Sequence, residues 1–243
     1  MKVLIVKNYE EMSKKAAEFM AEIVNEKPEA ILGLATGGTP VGMYKELIGM
    51  NKAGKVDFSK VTTVNLDEYV GLAGDHEQSY RYFMNTNLFN HINVNKDKTF
   101  VPNGLAENIE EECKKYDERI KELGGIDLQL LGLGGNGHIA FNEPDNHLVV
   151  GSHLTGLTQD TIDANARFFE SANEVPKTAV TMGLGGIMQA KKILLIASGE
   201  GKADAVEAMM NGKITTDCPA SMLQMHRDVT IIVDEAAAAK LAK

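Results

Sequence analysis

Ala30-Ile31-Leu32-Gly33-Leu34-Ala35 runs directly into Thr36-Gly37-Gly38-Thr39-Pro40, and this passage from apolar run to turn decides the fold. An apolar run without alternation reads as a strand buried on both faces. The glycines, threonines and proline behind it read as a turn into a helix that starts near Pro40. Similar β-branched or leucine-rich runs recur at Lys2 to Val6, Val61 to Leu66, Leu128 to Leu133, Thr178 to Met182, Lys192 to Ser198 and Val229 to Val233. Between several of them lies helical periodicity, as in Met12, Ala16, Phe19, Met20, Ile23 and Val24, or Ile109, Cys113, Tyr116, Ile120 and Leu123. Strands alternating with helices imply an α/β fold with a mostly parallel central sheet of about seven strands. Ligands of such sheets bind beyond the carboxyl ends of the strands, so residues just after each apolar run carry the interest.

The 243 residues, 44% of them hydrophobic, suffice for one compact domain spanning 1–243. Residues 145–176 carry little periodicity and read either as a lid over the site or as a weakly patterned helix. Lys and Arg number 25 against 34 Asp and Glu, a formal net charge of -9, which disfavours a nucleic-acid partner. An anionic ligand therefore needs local basic residues. No apolar stretch approaches the ~20 residues of a membrane span. The two cysteines, Cys113 and Cys218, form no CxxC pair, and no secretory leader precedes the first strand, so a reduced, cytoplasmic protein is expected.

Three segments follow strands and carry chemistry. In Thr36-Gly37-Gly38-Thr39 the glycines let backbone approach a ligand and the hydroxyls add donors, which makes an anion cradle; an ordinary strand-to-helix turn uses the same residues. It is no Walker loop, since Gly201-Lys202 is followed by Ala203 where a P-loop needs a hydroxyl. Gly132, Gly134 and Gly137 match GxGxxG after a strand, but Pro144 arrives before a crossover helix and no acidic ribose ligand follows at the expected distance, so dinucleotide binding is rejected. The glycines instead bring backbone close to a small ligand, with Asn136, His138 and Glu143 presenting polar groups at the same strand end. His138 suits proton transfer near neutral pH and Glu143 suits orienting its ring; a structural loop histidine is the plainer alternative.

Asp67 and Glu68 follow the third run at once, so one carboxylate points to the active edge and its neighbour away, with a helix-capping aspartate as the alternative. Which of the two faces in stays open. Arg167 and Lys202 are the positive charges placed against a phosphate. No HExxH or CxxC spacing points to a metal site, and no GxSxG elbow to a serine hydrolase.

Together, LGLATGGTP (32–40), NLDEYVGL (65–72), GHIAFNEP (137–144), ANARFF (164–169) and VPKTAVTMGL (175–184), in this order and spacing, resemble the glucosamine-6-phosphate deaminase family. The resemblance runs from near the amino terminus to about Val233. It implies a modified Rossmann-like three-layer sandwich and conversion of glucosamine 6-phosphate to fructose 6-phosphate and ammonia in amino-sugar catabolism, with neither metal nor other cofactor. The activity so implied is that of a hydrolase working through aldose–ketose isomerisation. By motif match Asp67 is the enolisation base, His138 the ring-opening base and Glu143 the carboxylate assisting it. Asn136 takes the remaining ring-opening position, where many members carry aspartate; it cannot hold a negative charge, so it orients His138 or substrate by hydrogen bonds. Gly37, Gly38, Thr39, Arg167 and Lys202, with Thr36 beside them, match the family's phosphate grip.

Larger members of the family continue further at the carboxyl end, and some are hexamers activated by N-acetylglucosamine 6-phosphate. With Lys243 last, the expectation here is a non-allosteric monomer or low-order oligomer whose partner is a small sugar phosphate. Two rivals stand beside this reading: a 6-phosphogluconolactonase on the same fold, disfavoured by NLDEY and FNEP, and a sugar-phosphate-sensing module, disfavoured by the acid–base set.

Overall fold

The computed structural model describes residues 1–166, 169 and 174–241. Along the chain come β1 (Lys2–Val6), α1 (Tyr9–Glu26), β2 (Ile31–Leu34), α2 (Val41–Lys52), β3 (Thr62–Asn65), β4 (Asp67–Tyr69), α3 (Tyr80–Met84), β5 (Thr99–Phe100) and α4 (Ile109–Glu122). They are followed by β6 (Leu128–Leu131), β7 (His153–Gly156), α5 (Gln159–Ala166), β8 (Thr178–Thr181), α6 (Leu184–Met188), β9 (Lys192–Ala197), α7 (Ala203–Asn211) and β10 (Val229–Asp234).

Seven strands form one parallel sheet in the order β1-β10-β9-β6-β2-β3-β5, and helices flank it in an α/β, Rossmann-like three-layer sandwich. Its central strands are apolar because both faces are covered: every residue of β2, β3, β6 and β10 is buried. The edge strand β1 is largely exposed. The periodic segments become helices with capped starts. Asn8 accepts a hydrogen bond from Glu11 N (3.0 Å) at the head of α1, and Asn108 one from Glu111 N (3.1 Å) at the head of α4. Acidic residues in both first turns oppose the helix dipole favourably. The buried stripe of α1, including Met12, Ala16, Met20, Ile23 and Val24, is the face its spacing predicts.

One strand lies elsewhere than expected. Thr178 to Met182 does not join the central sheet; β8 is the middle of a small antiparallel sheet, β4-β8-β7. The seventh central position belongs instead to β5, only two residues long. An apolar run reports burial and not the partner that causes it. Here β8 is apolar because Ala179 and Val180 are fully buried, Ala179 packing with Tyr69 and Phe141. The described part of residues 145–176 includes β7 and the short helix α5. None of the described helices is long and apolar enough to cross a membrane.

The strand order places the site. From β2 the chain moves outward to β3, whereas from β6 it moves the other way to β9, so adjacent β2 and β6 send their connections in opposite directions. A crevice opens at such a switch point, and the two glycine-rich segments both emerge there.

Candidate active site

A cavity of about 480 Å³ occupies that crevice, walled by the turn after β2, Asp67 at the exit of β3, the loop after β6, and Lys202 before α7. Thr36, Gly37, Gly38 and Thr39 form one wall. Gly37 has φ +87°, which a residue with a side chain adopts only under strain, so the turn that bends around the cavity depends on it. Two tyrosines brace this wall from behind. Tyr44 Oη donates to Ala35 O (2.6 Å), while Tyr9 Oη donates to Gly38 O (3.2 Å) and accepts from Gly42 N (2.8 Å). Across the opening, Asp234 accepts from Ser198 Oγ (2.5 Å) and Gly199 N (3.0 Å), fixing the turn that delivers Lys202. Arg167, the other expected cation, lies outside the described residues.

Asp67 lines the cavity and is 6% exposed; Glu68 is buried on the far side. Glu68 accepts from Tyr69 N (2.9 Å), Tyr80 N (2.8 Å) and Arg81 N (3.0 Å), so it caps α3 and sets Tyr80 into the cavity wall. Burial, aided by the neighbouring Glu68 charge, pushes the Asp67 carboxyl up to about 8. A carboxyl so placed holds a proton near neutrality and is a strong base once it has lost it.

The loop after β6 presents the second set. The His138 ring lies against the Gly134 backbone so closely that a Cβ there would sit 2.4 Å from ring atoms. His138 Nδ1 is 3.1 Å from Glu143 Oε2, and Asn136 Nδ2 donates to the same oxygen at 2.8 Å while Asn136 Oδ1 accepts from His138 N at 3.2 Å. The other oxygen, Oε1, accepts from Thr161 Oγ1 at 2.5 Å. Burial alone would raise the Glu143 carboxyl. The His138 hydrogen bond and charge, with the Thr161 and Asn136 donors, override it and hold the group down to about 2. An ionised carboxylate only accepts, so Nδ1 carries the imidazole proton and Nε2 is the basic nitrogen of the neutral ring. The loop turns back through Ala140 at φ 53°, a strained conformation for a residue with a side chain, and Asn142 pins it by donating to Ile139 O (3.0 Å) and Met182 O (2.9 Å).

The structure thus brings Asp67, Asn136, His138, Thr36 to Thr39 and Lys202 to one cavity, with Glu143 directly behind His138. Sequence reasoning passed over Tyr80, Phe141 and Thr161, which also line it. Tyr80 stacks on Phe141 (centroids 6.1 Å, 14° between planes) and approaches Tyr69 at 4.7 Å, giving the cavity one aromatic side. Phe141 sits inside the GHIAFNEP segment, but nothing in spacing marks Tyr80 or Thr161. Among the described residues no group of three or more His, Cys, Asp or Glu is arranged to hold a metal ion.

A parallel sheet with a cavity at its switch point, a glycine cradle on one wall, and two carboxyls driven to opposite ends of the titration range defines an α/β enzyme of the acid–base type. The chain belongs to the glucosamine-6-phosphate isomerase/6-phosphogluconolactonase family, whose sequence model matches residues 7–232. It is 71% identical over 243 residues to the glucosamine-6-phosphate deaminase of Clostridium perfringens strain 13, covering the whole of both chains. It is 60% identical over 238 residues to that of Thermoanaerobacter sp. strain X514, covering 98% of this chain and 94% of the relative. Among solved structures, a monomeric glucosamine-6-phosphate deaminase superposes with TM-score 0.96 at 47% identity, over 98% of this chain and 99% of that one. The 6-phosphogluconolactonase of Trypanosoma brucei shares the fold, with TM-score 0.76 at 20% identity over 99% and 98% of the two chains.

Proposed function

We propose that this chain converts glucosamine 6-phosphate to fructose 6-phosphate and ammonia. The observation that carries the reading is the pairing of a buried, proton-holding Asp67 with a His138–Glu143 couple around one cavity. The full-length likeness to deaminases at 60–71% identity supports it.

The chemistry needs two separate proton carriers. A closed amino sugar must open before its C2 hydrogen becomes acidic beside the C1 aldehyde. Neutral His138, with Nδ1–H held by Glu143, takes the anomeric hydroxyl proton at Nε2 and returns a proton to the ring oxygen as the C1–O5 bond breaks. Asn136 steadies this pair by hydrogen bonds alone; a carboxylate in its place would lie about 2.8 Å from the Glu143 carboxylate and compete for a proton. Asp67, ionised when the cationic C2 ammonium of the substrate comes near it, removes the C2 hydrogen and delivers a proton to C1, while one proton passes from the ammonium to O1, leaving a C1 hydroxyl and a C2=NH2+ group. The resulting C2 iminium adds water and releases ammonia, so one water is consumed overall and the reaction is hydrolytic in class. Thr36 to Thr39 and Lys202, with Arg167 by family match, grip the phosphate, and binding energy from that remote group fixes the reacting carbons against Asp67.

The same reading takes residues 1–243 as one domain with a lid within 145–176, acting as a cytoplasmic monomer or low-order oligomer; the likeness to a monomeric deaminase over 98% of the chain supports it. The test is incubation with glucosamine 6-phosphate and, separately, with 6-phosphogluconolactone. Ammonia release with formation of fructose 6-phosphate is expected. Lactone hydrolysis without ammonia would overturn the reading in favour of the lactonase, and tight sugar-phosphate binding without turnover in favour of a sensing module.

A further inference from the structure

The loop 132–144 supplies Asn136, His138 and Glu143, but the last donor to Glu143 comes from a different element. Thr161 stands in the first turn of α5 and is 5% exposed. Its hydroxyl donates to Glu143 Oε1 at 2.5 Å and accepts from Thr158 Oγ1 at 3.1 Å. Thr158 in turn accepts from Thr161 N at 3.3 Å, capping the helix and fixing the direction of the hydroxyl chain. A carboxylate is planar, so where one oxygen is anchored the other is aimed. Oε2 takes Asn136 at 2.8 Å and His138 Nδ1 at 3.1 Å; Oε1 takes Thr161.

We infer that Thr161 is a positioning residue for ring opening: from α5 it anchors Oε1 of Glu143 so that Oε2 stays turned to the His138 Nδ1 proton. Without that anchor the Glu143 side-chain torsion is free to carry Oε2 off the imidazole, and the ring loses the partner that fixes its tautomer and orientation. The site becomes correctly set only when α5 is seated against it. This inference rests on the proposed deaminase reading, and its test separates the two.

Thr161→Val replaces the hydroxyl with a methyl of the same shape, and Thr161→Ser keeps the donor. In the ligand-free protein at pH 8, exchange of the His138 Nδ1 proton with water, read by 15N-resolved NMR, should quicken about tenfold in the valine variant and stay near wild type in the serine variant. With glucosamine 6-phosphate, ammonia release by Thr161→Val should lose about tenfold in kcat with little change in KM. A 4,5-dideoxy analogue, which lacks both ring-forming hydroxyls and stays open, should be turned over by the valine variant as by wild type, and Thr161→Ser should restore the ring substrate. Equal slowing on ring and open substrates, or a valine variant identical to wild type in both proton exchange and kcat, would overturn the role of Thr161. Absence of ammonia from wild type would instead remove the deaminase reading, leaving the proton-exchange arm to decide the Thr161–Glu143 contact by itself.

Discussion

At the residue scale, two carboxyls in one site are pushed in opposite directions by their surroundings. Asp67 is raised to about 8 by burial and by Glu68, whereas Glu143 is held down to about 2 by His138, Thr161 and Asn136 against the cost of its burial. The raised group carries a stability penalty with a definite sign. Folded Asp67 holds its proton more tightly than the unfolded chain, so between about pH 4 and 8 the unfolded state is favoured increasingly as pH rises. Asp67→Asn removes that term and should stabilise the protein at pH 7 by up to about 4 kcal/mol, the gain closing below about pH 4, as read from urea melts at both pH values. The same substitution should abolish exchange of the substrate C2 hydrogen with solvent while leaving sugar-phosphate binding nearly intact. Undiminished exchange would clear Asp67 of enolisation. Asp67, Asn136, His138 and Glu143 were legible because each sits in a short string directly behind an apolar run. Thr161 was not, because its partner is 18 residues away and the contact exists only once α5 packs.

At the element scale, the loop after β6 shows why glycines cluster beside the histidine proposed to open the sugar ring. The resemblance to a dinucleotide fingerprint is accidental; Gly134 serves close packing of an imidazole on backbone. Gly134→Ala would place a Cβ 2.4 Å from that ring, so the ring must turn away from Glu143. A loss of about a hundredfold in kcat for ammonia release is expected, with the fold intact by circular dichroism; activity within threefold of wild type would show that the ring tolerates displacement. Pairing of elements was less legible than their existence. The Thr178 to Met182 run reads as a strand, and is one over Thr178–Thr181, but it pairs with β4 and β7 and packs Ala179 into the Tyr69–Phe141 cluster instead of joining the central sheet. The two-residue β5 has too few residues to show any period, and its place beside β3 comes from pairing Thr99 with Thr63 and Phe100 with Val64.

At the scale of the whole molecule, the end of the sheet away from the cavity is held by a buried acid. Asp127 accepts from Ile31 N (2.8 Å) and pairs with Lys27 (2.8 Å) and Lys191 (2.7 Å), tying the segments that start β2, β6 and β9 together. Burial acts to raise its carboxyl, but these partners prevail and lower it. The stability it contributes is therefore present above the unfolded value near 4 and lost as pH falls through the lower folded one. Asp127→Asn should cost about 2 kcal/mol in a denaturant melt at pH 7, with turnover per folded molecule unchanged. An unaltered melt would show that the three donors find other partners.

The sequence by itself determined which segments are buried, which are helical, and which short strings bear the acid–base groups, because hydrophobic period and turn chemistry are properties of neighbours along the chain. The tertiary structure alone decided that β2 and β6 lie side by side with opposed connections, that Asp67 and not Glu68 faces the cavity, and that Thr161 reaches Glu143. Those facts depend on contacts between residues distant in the chain. Such contacts leave no local pattern, since what selects them is the joint burial of many surfaces and not the preference of any one.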